Sequence, residues 1–185
     1  MFPFRASPQR SAIEIMILIA LGANLETARF GPPRRGLEAA LRHLEAAGVA
    51  MIQRSGWYRS APFPAADQPF YVNGVAEVES TLSPTALLAL MLEIETAFGR
   101  RRGKANAARV MDLDLIDFRG RILDRAGDDS GPALRLPHPR MDQRAFVLLP
   151  LAEIAPDWRH PESGRHIDEL IAALPEGQEI DLLET

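Results

Sequence analysis

The chain has 185 residues, a formal net charge of −4, 46% hydrophobic and 25% charged residues, and no cysteine. A chain of this length fits one domain, 1–185, that buries roughly 70% of the surface its unfolded form exposes. The missing cysteines exclude disulfides, thiolate nucleophiles and Cys-based zinc centres and fit a reducing cytoplasm, while the negative balance argues against general nucleic-acid binding.

Residues 1–12 (MFPFRASPQRSA) lack periodicity and are expected to form a loose extension. The apolar run 15–21 is too short to span a membrane. Glu14 and the absence of a clear small-residue cleavage site argue against a signal peptide. A buried first strand ending at the turn Gly22-Ala23-Asn24-Leu25 is expected instead. Leu37, Leu41 and Leu44 recur at helical spacing, with Gly48 placed to end the helix. Residues 49–59 read as one strand, favoured by Trp57 and Tyr58. Residues 60–70 hold Pro62, Pro64 and Pro69 and read as an ordered loop. In the next strand Tyr71 and Asn73 share one face, and Val72, Ala76 and Val78 share the other.

Ser83-Pro84 is a helix start, with Ser as N-cap, Pro at the first helical position, and Leu82 and Leu87 able to form a hydrophobic staple. Leu87, Met91, Ile94 and Phe98 make its buried stripe, and Gly99 sits where the helix should stop. The helix therefore delivers Arg100, whose charge also suits a helix C-terminus. A basic run follows, with Arg101, Arg102, Lys104 and Arg109, leading into a strand in which Met111, Leu113 and Leu115 face one way and Asp112, Asp114 and Ile116 the other. Residues 119–135 read as a turn, a short strand at 121–123 and a loop. His138, between two prolines, must lie in a fixed loop. A short helix should begin at Arg144, end at Pro150 and give way to another turn through Ile154. Ile167, Leu170, Ile171 and Leu174 mark a last helix. The order strand, helix, strand, strand, helix, strand is the ferredoxin-like βαββαβ arrangement of an α+β protein: an antiparallel sheet with helices largely on one face, here with a C-terminal helical part.

The chemistry concentrates at 99–118, GRRRGKANAARVMDLDLIDF. Two neighbouring carboxylates repel unless a cation sits between them, and magnesium binds through one or two carboxylates plus substrate phosphates. Guanidinium groups present a rigid fork that suits phosphate oxygens. The stretch reads as a site for a magnesium–polyphosphate complex. The plainer alternative is a solvated sheet face beside a basic loop.

Five stretches carry a family resemblance: ALGANL at 20–25, YRSAPF and DQPFYVN within 58–73, E-x-x-x-GR at 95–100, R-x-x-DLDLI at 109–116, and LPHPRMDQRAFVLLPL at 136–151. Together they resemble the 6-hydroxymethyl-7,8-dihydropterin pyrophosphokinases of folate biosynthesis. The resemblance implies a ferredoxin-like core and transfer of pyrophosphate from magnesium-ATP to the pterin hydroxymethyl group, with release of AMP. It implies Asp112 and Asp114 as ligands of two magnesium ions, and Arg100 and Arg109 as mobile arginines closing on the phosphates. It implies His138 and Arg144 as nucleotide contacts, and Tyr71 and Phe146 as an aromatic pair enclosing the pterin. Asn73 would read the pterin's polar edge, with backbone groups around Ser60, Ala61 and Phe63. Glu95 matches a family position near the phosphates, without an assigned role. The chain departs from the family at Ala23, at Ala107-Ala108, at Asn106 where some members have a covering Trp, at Leu92 and at Pro139.

The implied partners are ATP and the pterin, without nucleic acid or membrane, in a cytoplasmic monomer or weak dimer. No residue stands out as a strong general base; Asp112 is the candidate acceptor. The competing reading is a non-catalytic ferredoxin-like module that binds a nucleotide for regulation. It does not account for the Asp pair together with a separate Tyr71/Asn73/Phe146 pocket.

Overall fold

The computed structural model describes residues 16–100, 108–128 and 131–183. The expected N-terminal extension lies outside them, as do Arg101, Arg102, Lys104, Asn106 and Ala107. Strand β1 spans Ile17–Ala23. Helix α1 (Pro33–Ala46) leads to β2 (Ala50–Arg54), β3 (Tyr58–Ser60) and β4 (Tyr71–Glu79). Helix α2 (Pro84–Ala97) then returns the chain to β5 (Asp112–Phe118). A small hairpin, β6 (Leu123–Arg125) with β7 (Leu134–Leu136), precedes α3 (Ala145–Ile154), α4 (Ile167–Ala172) and β8 (Ile180–Leu182). The main sheet runs β5-β1-β4-β3-β8, with β2 also on β4, and all its pairings are antiparallel. With β2 and β3 counted as one interrupted strand, this is the expected ferredoxin-like order.

The interruption corrects the single strand expected over 49–59. At Ser55 the side chain enters the ladder: Val75 N–H donates to Ser55 Oγ (3.1 Å) while Ser55 N–H donates to Val75 O (2.9 Å). Gly56 N–H leaves the sheet and donates to Glu153 Oε1 on α3 (2.9 Å). Two three-residue strands, β7 and β8, were not expected, and the strand expected at 121–123 lies at Leu123–Arg125. Short strands carry little local signal, because their stability comes from pairing.

Helices cover both faces of the sheet, where the sequence suggested largely one. On the first face, Leu37 and Leu44 of α1 and Leu87, Met91 and Ile94 of α2 pack on Ile17, Ile19, Leu21, Ala76, Val78, Leu113 and Leu115. On the second, Val147, Leu148 and Leu151 of α3 and Ile167 and Leu170 of α4 pack on Leu18, Val75 and Ile116. Helix α3 runs through Pro150 and does not end there. An interior proline costs about 3 kcal/mol. Burial of Val147, Leu148 and Leu151 returns about 1.5–3 kcal/mol per side chain, so packing keeps the helix whole.

Helix α2 begins and ends as its sequence predicts. Ser83 Oγ accepts from Ala86 N–H (3.2 Å), and Pro84 opens the first turn. At the other end Arg100 N–H donates to Glu95 O (2.9 Å) and Gly99 N–H to Thr96 O (3.0 Å), the paired bonds of a Schellman motif. Gly99 has φ +91°, a conformation that disfavours a side chain. The turn fixes Arg100 beside β5.

Candidate active site

The site opens on the second sheet face, where α3 and α4 leave the N-terminal half of β5 uncovered. Asp112 and Asp114 share that face with Ile116, while Met111, Leu113 and Leu115 enter the first core, as the alternation predicts. A shift of register between Leu18 and Ile19 leaves Ile116 without a β1 partner. The Ile116 carbonyl accepts instead from His138 N–H (2.9 Å), which anchors the His138 loop against β5.

An open cleft is lined by Gly22 of β1, Ser60 to Pro64, Tyr71, Asn73, Arg109, Asp112, Asp114, Arg144 and Phe146, among others. Ten of the twelve residues expected from sequence line it: Ser60, Ala61, Phe63, Tyr71, Asn73, Arg109, Asp112, Asp114, Arg144 and Phe146. The other two, Arg100 and His138, stand just behind, each facing one of the carboxylates.

One end is aromatic and polar. Asn73 is buried, and its Nδ2 donates to Ser60 Oγ (2.9 Å). That bond leaves Oδ1 as the acceptor offered to a ligand. Gly22 makes room there, since a Cβ would stand 3.2 Å from Asn73 Oδ1. The Tyr71 hydroxyl donates to Gln68 Oε1 (3.2 Å), and burial raises its pKa. The Arg144 guanidinium lies 5.3 Å from the Phe146 ring centre, within cation–π range.

The other end is charged. Arg109 is paired with Asp112 Oδ2, and Arg100 Nη1 lies 2.7 Å from Asp112 Oδ1. Among the described residues, Oδ1 nonetheless accepts no aligned hydrogen bond. Burial and the neighbouring Asp114 raise the Asp112 pKa, against the pull of Arg109 and Arg100. Asp114 Oδ2 is 3.9 Å from both His138 Nε2 and Arg144 Nη1. Burial lowers the His138 pKa, favouring the neutral ring. Among the described residues no group of three or more His, Asp or Glu could cage a metal. An acidic pair with one buried, poorly satisfied oxygen fits magnesium delivered with phosphates, which needs only one or two carboxylates.

The structure assigns Glu95 a position that the sequence left open. It is 2% exposed, and its Oε1 accepts from Leu113 N–H (2.7 Å) and from Arg100 Nη1. Glu95 thus closes the free edge of β5 and holds Arg100 against it. Burial pushes its pKa up to about 7. Asn24 was passed over as a turn residue. It is buried, its Oδ1 accepts from Arg109 N–H (2.7 Å), and its Nδ2 donates to Gln68 Oε1 (3.2 Å) and Pro69 O (3.0 Å). It therefore joins the 60–70 loop to Arg109. Its signals in the sequence were the Gly22-Ala23-Asn24 turn and a place in the ALGANL stretch, neither of which names a partner.

The family model for 7,8-dihydro-6-hydroxymethylpterin-pyrophosphokinase matches residues 18–156. A 2-amino-4-hydroxy-6-hydroxymethyldihydropteridine pyrophosphokinase from Synechocystis sp. is 43% identical over 155 residues, covering 83% of this chain and 73% of its own. One from Pseudomonas aeruginosa is 42% identical over 160 residues, covering 86% and 91%. A crystal structure of Plasmodium falciparum HPPK-DHPS aligns with TM-score 0.63 at 14% identity. It covers 85% of this chain and 43% of the Plasmodium chain, a likeness of fold alone. No helix among the described residues is long and apolar enough to cross a membrane. A matching family model over most of the chain, relatives above 40% identity and a ferredoxin-like sheet agree: the chain belongs to the 7,8-dihydro-6-hydroxymethylpterin-pyrophosphokinase family and is a pyrophosphokinase of folate synthesis.

Proposed function

We propose that the cleft is where this chain transfers pyrophosphate from ATP to 6-hydroxymethyl-7,8-dihydropterin. The pterin would take the aromatic end and the nucleotide phosphates the charged end. One observation carries this reading: a single cleft joins an aromatic and amide pocket, Tyr71, Asn73 and Phe146, to a pair of carboxylates faced by arginines. A module that only binds a nucleotide has no use for the first half.

At the pterin end, Tyr71 and Phe146 supply ring faces. Asn73 Oδ1 accepts from the N–H edge of the heterocycle, and the backbone of Ser60, Ala61 and Phe63 completes the wall. At the phosphate end, Asp112 and Asp114 would hold two magnesium ions with the ATP phosphates. When bound, these ions neutralise phosphate charge and acidify the hydroxymethyl group. Arg100 and Arg109, now turned onto Asp112, offer guanidinium forks to the phosphoryl oxygens. Glu95 keeps Arg100 within reach of both. Arg144 and His138 face Asp114 and would contact the nucleotide. Transfer of this kind depends mainly on alignment and charge stabilisation, which this set of side chains can provide.

The test is direct. The chain is incubated with ATP, magnesium and the hydroxymethyl-dihydropterin, and AMP is measured. Pterin-dependent AMP release is expected. ATP binding without AMP release in the presence of both partners would overturn the assignment.

A further inference from the structure

Helix α3 enters the cleft without a cap of its own. Arg144 occupies the N-cap position in extended backbone, φ −122° and ψ 107°, and its side chain accepts no capping bond. The first helical N–H, at Ala145, donates instead to Gln178 Oε1 (2.9 Å), which lies 33 residues further along the chain. The same amide donates through Nε2 to Gln143 O (3.0 Å) and to Pro175 O (3.3 Å). One side chain thus grips the backbone immediately before and immediately after Arg144. An amide is suited to this, because it offers donor and acceptor groups side by side.

The next residue ties the opposite wall. Ala61 N–H donates to Glu179 O (3.0 Å), and β8 then pairs with β3 from Ser60 to Tyr58. Ala61 and Phe146 both line the cleft. Two consecutive tail residues therefore connect the α3 entrance, which presents Arg144 and Phe146, with the wall that presents Ser60 and Ala61.

We propose that Gln178 is a positioning residue for the reaction: its amide clamps the backbone on either side of Arg144 and so sets where Arg144 and Phe146 stand relative to the Ala61 wall. This rests on the reading of the cleft given above. A clamp differs from a plain helix cap in what its loss disturbs. Loss of a cap lowers stability. Loss of a clamp also misplaces two ligand-facing side chains, and small misplacements are costly where alignment carries the rate.

Three variants separate these roles: Gln178→Leu, which keeps volume and loses all three bonds; Gln178→Glu, which keeps the acceptor and loses the donor; and Asp181→Ala, which removes the exposed Arg59–Asp181 pair of the same tail. Each is measured for kcat, for KM toward both substrates, for melting temperature and for amide exchange at Ala145. Gln178→Leu should lower kcat/KM for the pterin about tenfold, the scale of one or two net hydrogen bonds. Gln178→Glu should recover part of that loss, and Asp181→Ala should stay within about twofold of the parent, as expected for an exposed pair. Should Gln178→Leu fail to fold, Gln178→Glu carries the same comparison. A Gln178→Leu protein with parental kcat/KM and only a lower melting temperature would reduce Gln178 to a cap and overturn the proposal. An equal loss in Asp181→Ala would also overturn it, by assigning the effect to tail docking at large. Absence of turnover in the parent protein would instead defeat the reading of the cleft. The clamp itself would then stand or fall on whether Ala145 exchange accelerates in Gln178→Leu.

Discussion

Asp112 sits under opposed pulls: burial and Asp114 favour its neutral form, while Arg109 and Arg100 favour the charged one. A site in this condition gains from further positive charge. Replacing Asp112 or Asp114 with Asn should therefore cut turnover by about 100-fold or more, the scale on which charge stabilisation acts in a closed site. The melting temperature should change little, since the groups face a cleft and not a core. Steady-state turnover beside thermal melting checks this. Glu95 behaves differently. Its pKa in the folded chain is about 7, above the ordinary 4.5, because burial penalises the charge. The folded state then binds this proton more tightly than the unfolded state. The resulting stability is fully present below about pH 4.5 and is lost as pH rises through about 7. Melting temperatures of the ligand-free protein should fall across that window, and Gln at position 95 should flatten the fall. An identical pH dependence in Glu95→Gln would remove Glu95 as its source. The sequence made Asp112 and Asp114 legible because strand alternation is local. It left Glu95 unexplained and Asn24 a turn residue without a role because their partners, Leu113 and Arg109, are brought to them only by the fold.

Among the elements, α2 was the most legible, because each end carries its own chemistry: Ser83 and Pro84 at the start, Gly99 at the stop. Its function lies in that stop. The Schellman turn places Arg100 with its N–H on the Glu95 carbonyl and its guanidinium on the Glu95 carboxylate. Gly99→Ala should cost about 1–2 kcal/mol for a side chain in left-handed backbone. It should also lower the rate of pyrophosphate transfer through displacement of Arg100, with ATP affinity less affected. Chemical denaturation and single-turnover kinetics would separate the two effects. An unchanged single-turnover rate in a destabilised protein would show that the turn matters to the fold alone. The elements that misled were those decided by packing or pairing. Pro150 reads as a helix end until Val147, Leu148 and Leu151 are seen buried on both sides of it. The Ser55-Gly56 break reads as strand because Ser55 keeps a ladder bond through its hydroxyl. Strand β8, within an acidic and proline-containing tail, has no periodicity at all and exists because β3 offers it an edge.

On the scale of the whole molecule, the sheet has two dressed faces, and the second is left partly open. Helices α1 and α2 seal the first face with one core, and α3 and α4 seal only part of the second. The cleft is the remainder, bounded by β1, β3, β4, β5 and the start of α3. Element order revealed the sheet, since the connections of a βαββαβ chain leave few alternatives. It did not reveal that the C-terminal part would cover the opposite face and supply one wall of the cleft, because nothing in the α3 sequence states which face it will bury against. The proposed function then implies a division of labour along the cleft, with stacking and amide recognition at one end and phosphate charge at the other. Aromatic stacking contributes about 0.5–1.5 kcal/mol beyond burial, so Leu at Tyr71 should weaken the pterin several-fold.

Calorimetric binding of each substrate to Tyr71→Leu and to Asp114→Asn tests that division most directly. The account predicts a crossed pattern. Tyr71→Leu should lose pterin affinity and keep its affinity for magnesium-ATP, and Asp114→Asn should lose magnesium-dependent ATP affinity and keep its affinity for the pterin. Equal loss of both ligands in both variants, accompanied by lower melting temperatures, would contradict it and leave these residues as supports of the fold.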